Sequence, residues 1–282
     1  MLLWSGAFIA VRAGLPFVSA LSFLGSRFTL ACLVLVAVSL LIPSLRRDWA
    51  RIGHLWPHLA ISGALINGAY LSGGYLAMTT IKGAMMALIG ALAPVLTAFI
   101  SNRLLGERIS AVQWLGFTLG FIGVVMVVGV EPEGLTLTPG LGWALASMVC
   151  IVAGTLYFNR FCRNVPLLPS NCVQLGAGAV FCWLLVLPFE SPHVTPTWTL
   201  FWSFGYLTFA VSLGAMAIYL YMLNNGSAGR AIANLYLTPG VAALMGWLLL
   251  DERFAVGALA GFLVSMLGLW LVNRKPTARP AS

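Results

Sequence analysis

The residues of this 282-residue chain that could carry acid–base, nucleophilic or metal chemistry are few: seven carboxylates, three histidines and five cysteines. Asp48, Glu107, Glu131, Glu133, Glu190, Asp251 and Glu252 all fall in or beside predicted connections between apolar stretches. His54 and His193 fall in connections too, and His58 stands at the start of a stretch. A proton relay across a membrane commonly uses an Asp, Glu or His inside a span; none is predicted to lie deep in one here. Cys32, Cys150, Cys162, Cys172 and Cys182 are odd in number and match neither a disulfide framework nor a zinc-ligand spacing. No nucleophile–base set and no phosphate-cradling glycine loop is found. The sequence therefore predicts a protein that is not an enzyme, with no catalytic residue, no metal and no cofactor.

What remains is recognition by uncharged polar groups. The predicted third span carries Gly63, Asn67, Tyr70 and Gly74, spaced 4, 3 and 4, which places them on one helical face. A small, polar stripe inside lipid is expected to face protein or a water-filled cavity. The eighth span has a similar stripe through Ser203, Tyr206, Ala210, Gly214, Ala217 and Tyr221, and the ninth adds Asn234, Tyr236 and Thr238. Asn67, Tyr70, Tyr206, Asn234 and Tyr236 are thus predicted to line a substrate path. The competing explanation is interhelical hydrogen bonding by Asn and interfacial placement of Tyr. Pro94 and Pro239 sit near the middle of the fourth and ninth spans, where each removes a helical hydrogen bond and displaces the carbonyl of Gly90 or Leu235. A kink that shapes a cavity or flexes during a cycle is expected; a static kink satisfied by neighbours is the alternative. Arg27 and Lys82 lie near predicted helix ends, where long stems snorkel to headgroups, with contact to a carboxylate ligand the alternative. Trp4, Trp114, Trp143, Trp183 and Trp270 are read as belt or lipid-facing residues, and Gly116-x-x-x-Gly120 and Gly257-x-x-x-Gly261 as close-packing faces set against each other.

These residues need elements to hold them, and the composition restricts which. The chain is 60% hydrophobic and 8% charged, far from a soluble domain's near-even apolar share and roughly one-quarter charged residues. That excludes a soluble enzyme, a disordered scaffold and a nucleic-acid-binding domain. Ten stretches reach the length that spans a bilayer. They are Met1–Val18, Leu21–Ile42, Leu55–Met78, Ile81–Ile100, Ala111–Val130, Gly140–Asn159, Pro169–Phe189, Thr199–Met222, Ala228–Leu250 and Ala255–Val272. The first is read as a membrane helix rather than a secretory signal. No period-2 alternation indicates strands, so the expected fold is an all-α membrane protein with ten transmembrane helices.

The net charge of +8 records topology. With ten spans, Arg46, Arg47, Arg51, Arg103, Arg108, Arg160, Arg163, Arg230, Arg274, Lys275 and Arg279 gather on one side, and only Arg12, Arg27, Lys82 and Arg253 on the other. The positive-inside bias makes the first side cytoplasmic, with both termini there.

A shift of 145 residues brings Leu92 and Pro94 onto Leu237 and Pro239, Glu107 and Arg108 onto Glu252 and Arg253, and Gly116, Phe117 and Gly123 onto Gly261, Phe262 and Gly268. A shift of 148 aligns Gly6 with Gly154 and Arg12 with Arg160. The chain is accordingly read as a five-helix repeat over residues 1–130, a second over 140–273, and a cytoplasmic tail over 274–282. An odd number of spans per repeat inverts the second relative to the first. Inverted repeats are characteristic of transporters, whose substrate site lies near the midplane at the repeat interface.

The runs "KGAMMALIGALAPVLTAFISNRLLGERISAVQWLGFTLGFIGVVMVV" and "SAGRAIANLYLTPGVAALMGWLLLDERFAVGALAGFLVSMLGLWLV" resemble the two paired segments of the EamA-type family of the drug/metabolite transporter superfamily. "LLWSGAFIAVRAGL" and "SRFTLACLVL" resemble its first two helices, and Asp251 departs from the pattern, standing where the first repeat has Gly106. The resemblance implies ten helices in inverted halves and export of metabolites across the bacterial inner membrane; within the family the chain is most similar to the aromatic amino acid exporters. Small multidrug antiporters of the superfamily hold a membrane-embedded carboxylate for cationic drugs, which this sequence lacks. The expected activity is therefore alternating-access export of neutral, aromatic or similar amino acids by facilitated diffusion. The alternatives are a drug, purine or other metabolite exporter, or a membrane receptor without flux. The partners expected are a small-molecule substrate and the lipid bilayer, with no nucleic acid, and the working unit is expected to be a monomer.

Overall fold

The computed structural model describes residues 2–78, 80–81, 83–104, 106, 109–128, 138–238, 240–241, 244 and 256–274. Helix α1 covers Leu2–Gly14 and tightens into a 3-10 turn at Leu15–Phe17, where Pro16 stops the α-helical ladder. Helix α2, Ala20–Leu41, is followed at once by a short α3, Pro43–Ala50, started by a proline at its first position. Hydropathy assigned that segment to a connection. Instead it is an amphipathic helix: Arg46 reaches the carbonyl of Leu40, and Trp49 packs against the core.

The stretch predicted as the third span folds as α4 (Trp56–Gly63), a π-helical segment (Ala64–Ala69) and α5 (Tyr70–Met78). The fourth is α6 (Gly83–Gly90) and α7 (Ala93–Leu104), separated by a turn at Ala91 and Leu92. Then come α8 (Ala111–Val128), α9 (Pro139–Phe161, capped by the Thr138 hydroxyl on the Leu141 N–H) and α10 (Leu167–Phe189). The eighth span is α11 (Trp198–Gly205), a second π-helical segment (Tyr206–Ala215) and α12 (Met216–Asn225). Helix α13 (Ala228–Ala233) passes into a 3-10 turn at Asn234–Tyr236, and α14 covers Val256–Asn273. Among the described residues, Ala20–Leu41, Pro139–Phe161, Leu167–Phe189 and Trp198–Asn225 are long and apolar enough to cross a membrane, and shorter apolar helices accompany them. The one extended pairing among those residues is an isolated bridge between Val18 and Val194. The fold is all-helical.

Packing follows small residues. The third span lies between α9 and α10. A methyl group built on Gly154 would fall 2.9 Å from the Leu65 side chain, and one on Gly63 2.5 Å from the Gln174 carbonyl. Helices α8 and α14 run antiparallel in backbone contact: a methyl on Gly116 would lie 2.7 Å from the Gly268 carbonyl, and one on Gly261 2.7 Å from the Gly123 carbonyl. The contact is crosswise between glycines that the 145-residue shift makes equivalent. Two bodies related by a two-fold axis touch in this way, residue i on j and j on i. The sequence singled out Gly116, Gly120 and Gly261 for this role; Gly123 and Gly268 share it, while the surroundings of Gly257 lie outside the described residues.

Helix α2 runs antiparallel along α10. At one end the Glu190 carboxylate accepts from the Leu21 and Ser22 N–H groups at 2.9 and 2.7 Å and from the Ser22 hydroxyl at 2.8 Å, a favourable place for an anion. The same loop holds Ser19, whose Oγ lies 2.7 Å from His193 Nδ1. At the other end the thiols of Cys32 and Cys172 lie 3.5 Å apart, both cysteines free. Copper-phenanthroline oxidation is therefore expected to join Cys32 to Cys172, read as a disulfide-linked peptide by mass spectrometry, and Cys172→Ala is expected to abolish it.

Candidate functional site

Two kinds of irregularity interrupt the helices near their middles, and each occurs twice. The π-helical segments Ala64–Ala69 and Tyr206–Ala215 overlap when 145 residues are added to the first. The break at Ala91 and Leu92, shifted by the same 145 residues, begins on Tyr236, the last residue of the 3-10 turn at Asn234–Tyr236. The first break follows from chemistry: Pro94 has no N–H to offer the Gly90 carbonyl, and α6 ends at Gly90. Pro94 itself is buried at the start of α7. Pro239 lies outside the described residues. Wide turns and breaks leave backbone groups free, which is tolerated at membrane depth only where protein or a cavity receives them.

The π turns also rotate the faces that a 3.6-residue period predicts. In the third span Gly63 and Asn67 face α10, where a methyl on Gly178 would meet the Asn67 Cβ at 2.7 Å. Past the π segment the face has turned toward α9. The Ser147 hydroxyl donates to the Tyr70 carbonyl at 2.6 Å, and Gly74 comes near the same serine. In the eighth span the anticipated stripe reaches Tyr206 but not Tyr221, which is 57% exposed; Tyr219, 3% exposed, takes the inward place. The Tyr219 hydroxyl lies 2.7 Å from Thr155 Oγ1 and its ring 5.4 Å from the Trp4 ring. Trp4 thus packs inside the protein rather than in a lipid-facing belt. A cleft of about 240 Å³ between α1 and α12 is lined by Trp4, Tyr219 and Met222 with Leu2, Leu3, Ala215 and Ile218.

The five residues assigned to a path do not converge on one pocket. Tyr70 packs against the core cluster that contains Tyr219, as Trp4 and Met222 do. Asn234 reaches Met222 with its amide 4.0 Å from the sulfur, but its hydrogen bonds, 3.1 and 3.3 Å, go back to the Arg230 and Ala231 carbonyls of its own turn. Tyr206 donates to the Leu3 carbonyl at 3.1 Å and stacks on Trp202. Tyr236 is buried against Gly120 of α8. Asn67 stays at the α10 interface. The sequence carries no signal for Tyr219 and Thr155: the π segment turns Tyr219 inward onto Thr155 of α9, and Trp4 meets it from α1.

Several fully enclosed polar atoms have no hydrogen-bond partner among the described residues: Asn67 Nδ2, both amide atoms of Gln174, the Tyr75 and Tyr236 hydroxyls, and Arg27 Nε. Arg27 does not snorkel; it is 4% exposed within α2. Lys82, Glu107, Arg108, Glu252 and Arg253 lie outside the described residues. No group of three or more His, Cys, Asp or Glu residues converges as a metal site among the described residues.

Comparison with known proteins agrees with this architecture. The EamA-like transporter family profile matches residues 1–129 and 138–274. "Uncharacterized transporter YvbV" of Bacillus subtilis is 25% identical over 100% of this chain and 92% of its own length. "Uncharacterized inner membrane transporter YedA" of Escherichia coli K12 is 26% identical over 99% and 92%. "Probable terminal-alkyne amino-acid exporter" of Streptantibioticus cattleyicolor is 27% identical over 98% and 91%. A solved crystal structure, 22% identical, superposes with a TM-score of 0.78 over 96% of this chain and 93% of that one, which establishes a shared fold.

Proposed function

The chain belongs to the EamA-like transporter family and is a multi-pass membrane transporter, and from that premise we propose that it exports neutral amino acids, aromatic ones foremost, by alternating access. The reading places ten helices in two inverted five-helix units, residues 1–130 and 140–273, with a cytoplasmic tail over 274–282. It sets both termini on the cytoplasmic side of the bacterial inner membrane and takes the monomer as the working unit. The observation that carries it is the pairing of irregularities: π segments in the third and eighth spans, and breaks in the fourth and ninth, at repeat-equivalent positions. Discontinuous helices at equivalent places of two repeats are where secondary transporters bind substrate. The crosswise glycine contacts of α8 and α14 support the same symmetry.

Substrate class is supported by three features. A relative named as a terminal-alkyne amino-acid exporter aligns along almost the whole chain. Trp4, Tyr70 and Tyr219 supply aromatic surface beside the cleft at α1 and α12. None of the chain's carboxylates was predicted deep in a span, which argues against proton exchange and against lipophilic cations. On this reading Asn67, Tyr70, Tyr206, Asn234 and Tyr236 contact the solute at different stages of its passage, and Pro94 and Pro239 set the flexing points.

The test is a panel of radiolabelled solutes in proteoliposomes: phenylalanine, leucine and threonine beside adenine and a lipophilic cation. Saturable uptake of the amino acids above the other two is expected. Preference for adenine or the cation would instead favour a purine or drug carrier.

A further inference from the structure

We propose that Arg27, with Tyr75, forms a docking site for the carboxylate of the transported solute, at the junction of α2, α5 and α10. The inference deepens the transport reading and rests on it for the direction of movement, but binding can be measured without flux.

Arg27 is the eighth residue of α2, so a rise of 1.5 Å per residue sets it about 10 Å along the axis from that helix's first residue. A snorkelling arginine at this depth would show its head at the interface; this one is 4% exposed, and its Nε has no hydrogen-bond partner among the described residues. Among the described residues the Phe28 ring lies 4.7 Å from its guanidinium. Tyr75, 6% exposed, and Cys182 are its titratable neighbours, and the Tyr75 hydroxyl has no hydrogen-bond partner there either. The thiol of Cys182 lies 3.5 Å from Ser72 Oγ.

A guanidinium does not discharge by losing its proton, so an anion is the partner that most fully offsets its burial. A cation–π contact is too weak to do so alone. The carboxylates among the described residues do not fill the role. Glu190 is engaged by the Leu21 and Ser22 N–H groups, and Asp48 by Arg51; the other five acids belong to connections in the sequence. The missing partner is supplied from outside the chain. A guanidinium edge and a phenol hydroxyl, donors only toward an anion, match the two oxygens of a carboxylate. The site lies on the side of the bundle that Glu190 closes, the side that the charge distribution makes extracytoplasmic, so the carboxylate is held near the exit.

The test uses the purified full-length chain in detergent and reads intrinsic tryptophan fluorescence on titration. The probes are phenylalanine and leucine, and their decarboxylated counterparts phenethylamine and isoamylamine. At least one amino acid is expected to bind saturably. Arg27→Gln is expected to weaken that binding roughly ten- to a hundredfold, the range for losing a hydrogen bond to a charged group. Arg27→Lys retains part of the affinity, and the amines bind wild type and Arg27→Gln alike. Tyr75→Phe weakens amino acid binding roughly threefold and decides the matter if Arg27→Gln fails to elute as a folded species. No saturable response to either amino acid overturns the proposal, as does Arg27→Gln or Tyr75→Phe binding both amino acids like wild type. Carboxylate binding without flux would contradict the transport reading and leave this site standing; flux restricted to solutes without a carboxylate would do the reverse.

Discussion

Replacing Gly268 by leucine is expected to be the most damaging single change in the protein. A methyl group at this position would already stand 2.7 Å from the Gly116 carbonyl and 2.8 Å from Gly120 Cα, and both neighbours are backbone that cannot move aside. Overpacked cores commonly lose about 1–3 kcal/mol, and a leucine driven between two helix backbones belongs at or beyond the top of that range. In lipid, helix association depends on close packing and interhelical hydrogen bonds and not on a hydrophobic drive, so beyond the bond from Gln113 Nε2 to the Val272 carbonyl, 3.0 Å, the α8–α14 pair relies on this packing. The expected result is loss of the monodisperse peak on size-exclusion chromatography, or a melting midpoint far below wild type. Gly142→Ala is the control: a methyl there meets nothing within 4 Å, and the melting midpoint is expected to be unchanged or slightly raised.

The second large effect concerns rate. Substituting both Pro94→Ala and Pro239→Ala restores an N–H at the middle of the fourth and ninth spans. At the first position that N–H is free to bond the Gly90 carbonyl and to close the break at Ala91 and Leu92. A continuous helix resists the local backbone change that a hinge absorbs. The double variant is expected to fold and to bind amino acid within threefold of wild type, while flux falls roughly tenfold, as expected when a conformational step limits turnover. Unchanged flux would show that the breaks are static.

Hydropathy made most helices legible, because a bilayer demands about 20 apolar residues and short polar breaks between them. Helices α2, α8 and α10 begin and end within about three residues of the stretches read from sequence, in line with the usual error at element ends. The close approach of α8 and α14 was legible in part, from Gly116, Gly120 and Gly261; their partners Gly123 and Gly268 lie outside the G-x-x-x-G spacing. Side-chain direction was not. Each π segment advances the chain without advancing the face, so Tyr219 and not Tyr221 points inward, and Asn67 and Tyr70 part company across one short stretch. No composition signal marks a π turn. Arg27 was misjudged because its depth is within reach of a snorkelling stem; only its packing shows that it stays inside. The loop contacts of Ser19, Glu190 and His193 join residues more than 160 positions apart and leave no local pattern.

On the proposed function, this chain carries amino acids across a membrane without a proton relay of its own. Counterflow tests it most directly: proteoliposomes loaded with unlabelled phenylalanine are diluted into a trace of the labelled amino acid, with equal pH on both sides. A transient accumulation of label above equilibrium, undiminished by a protonophore, is expected. Label entry that requires an imposed pH gradient, or binding with no counterflow, would contradict it.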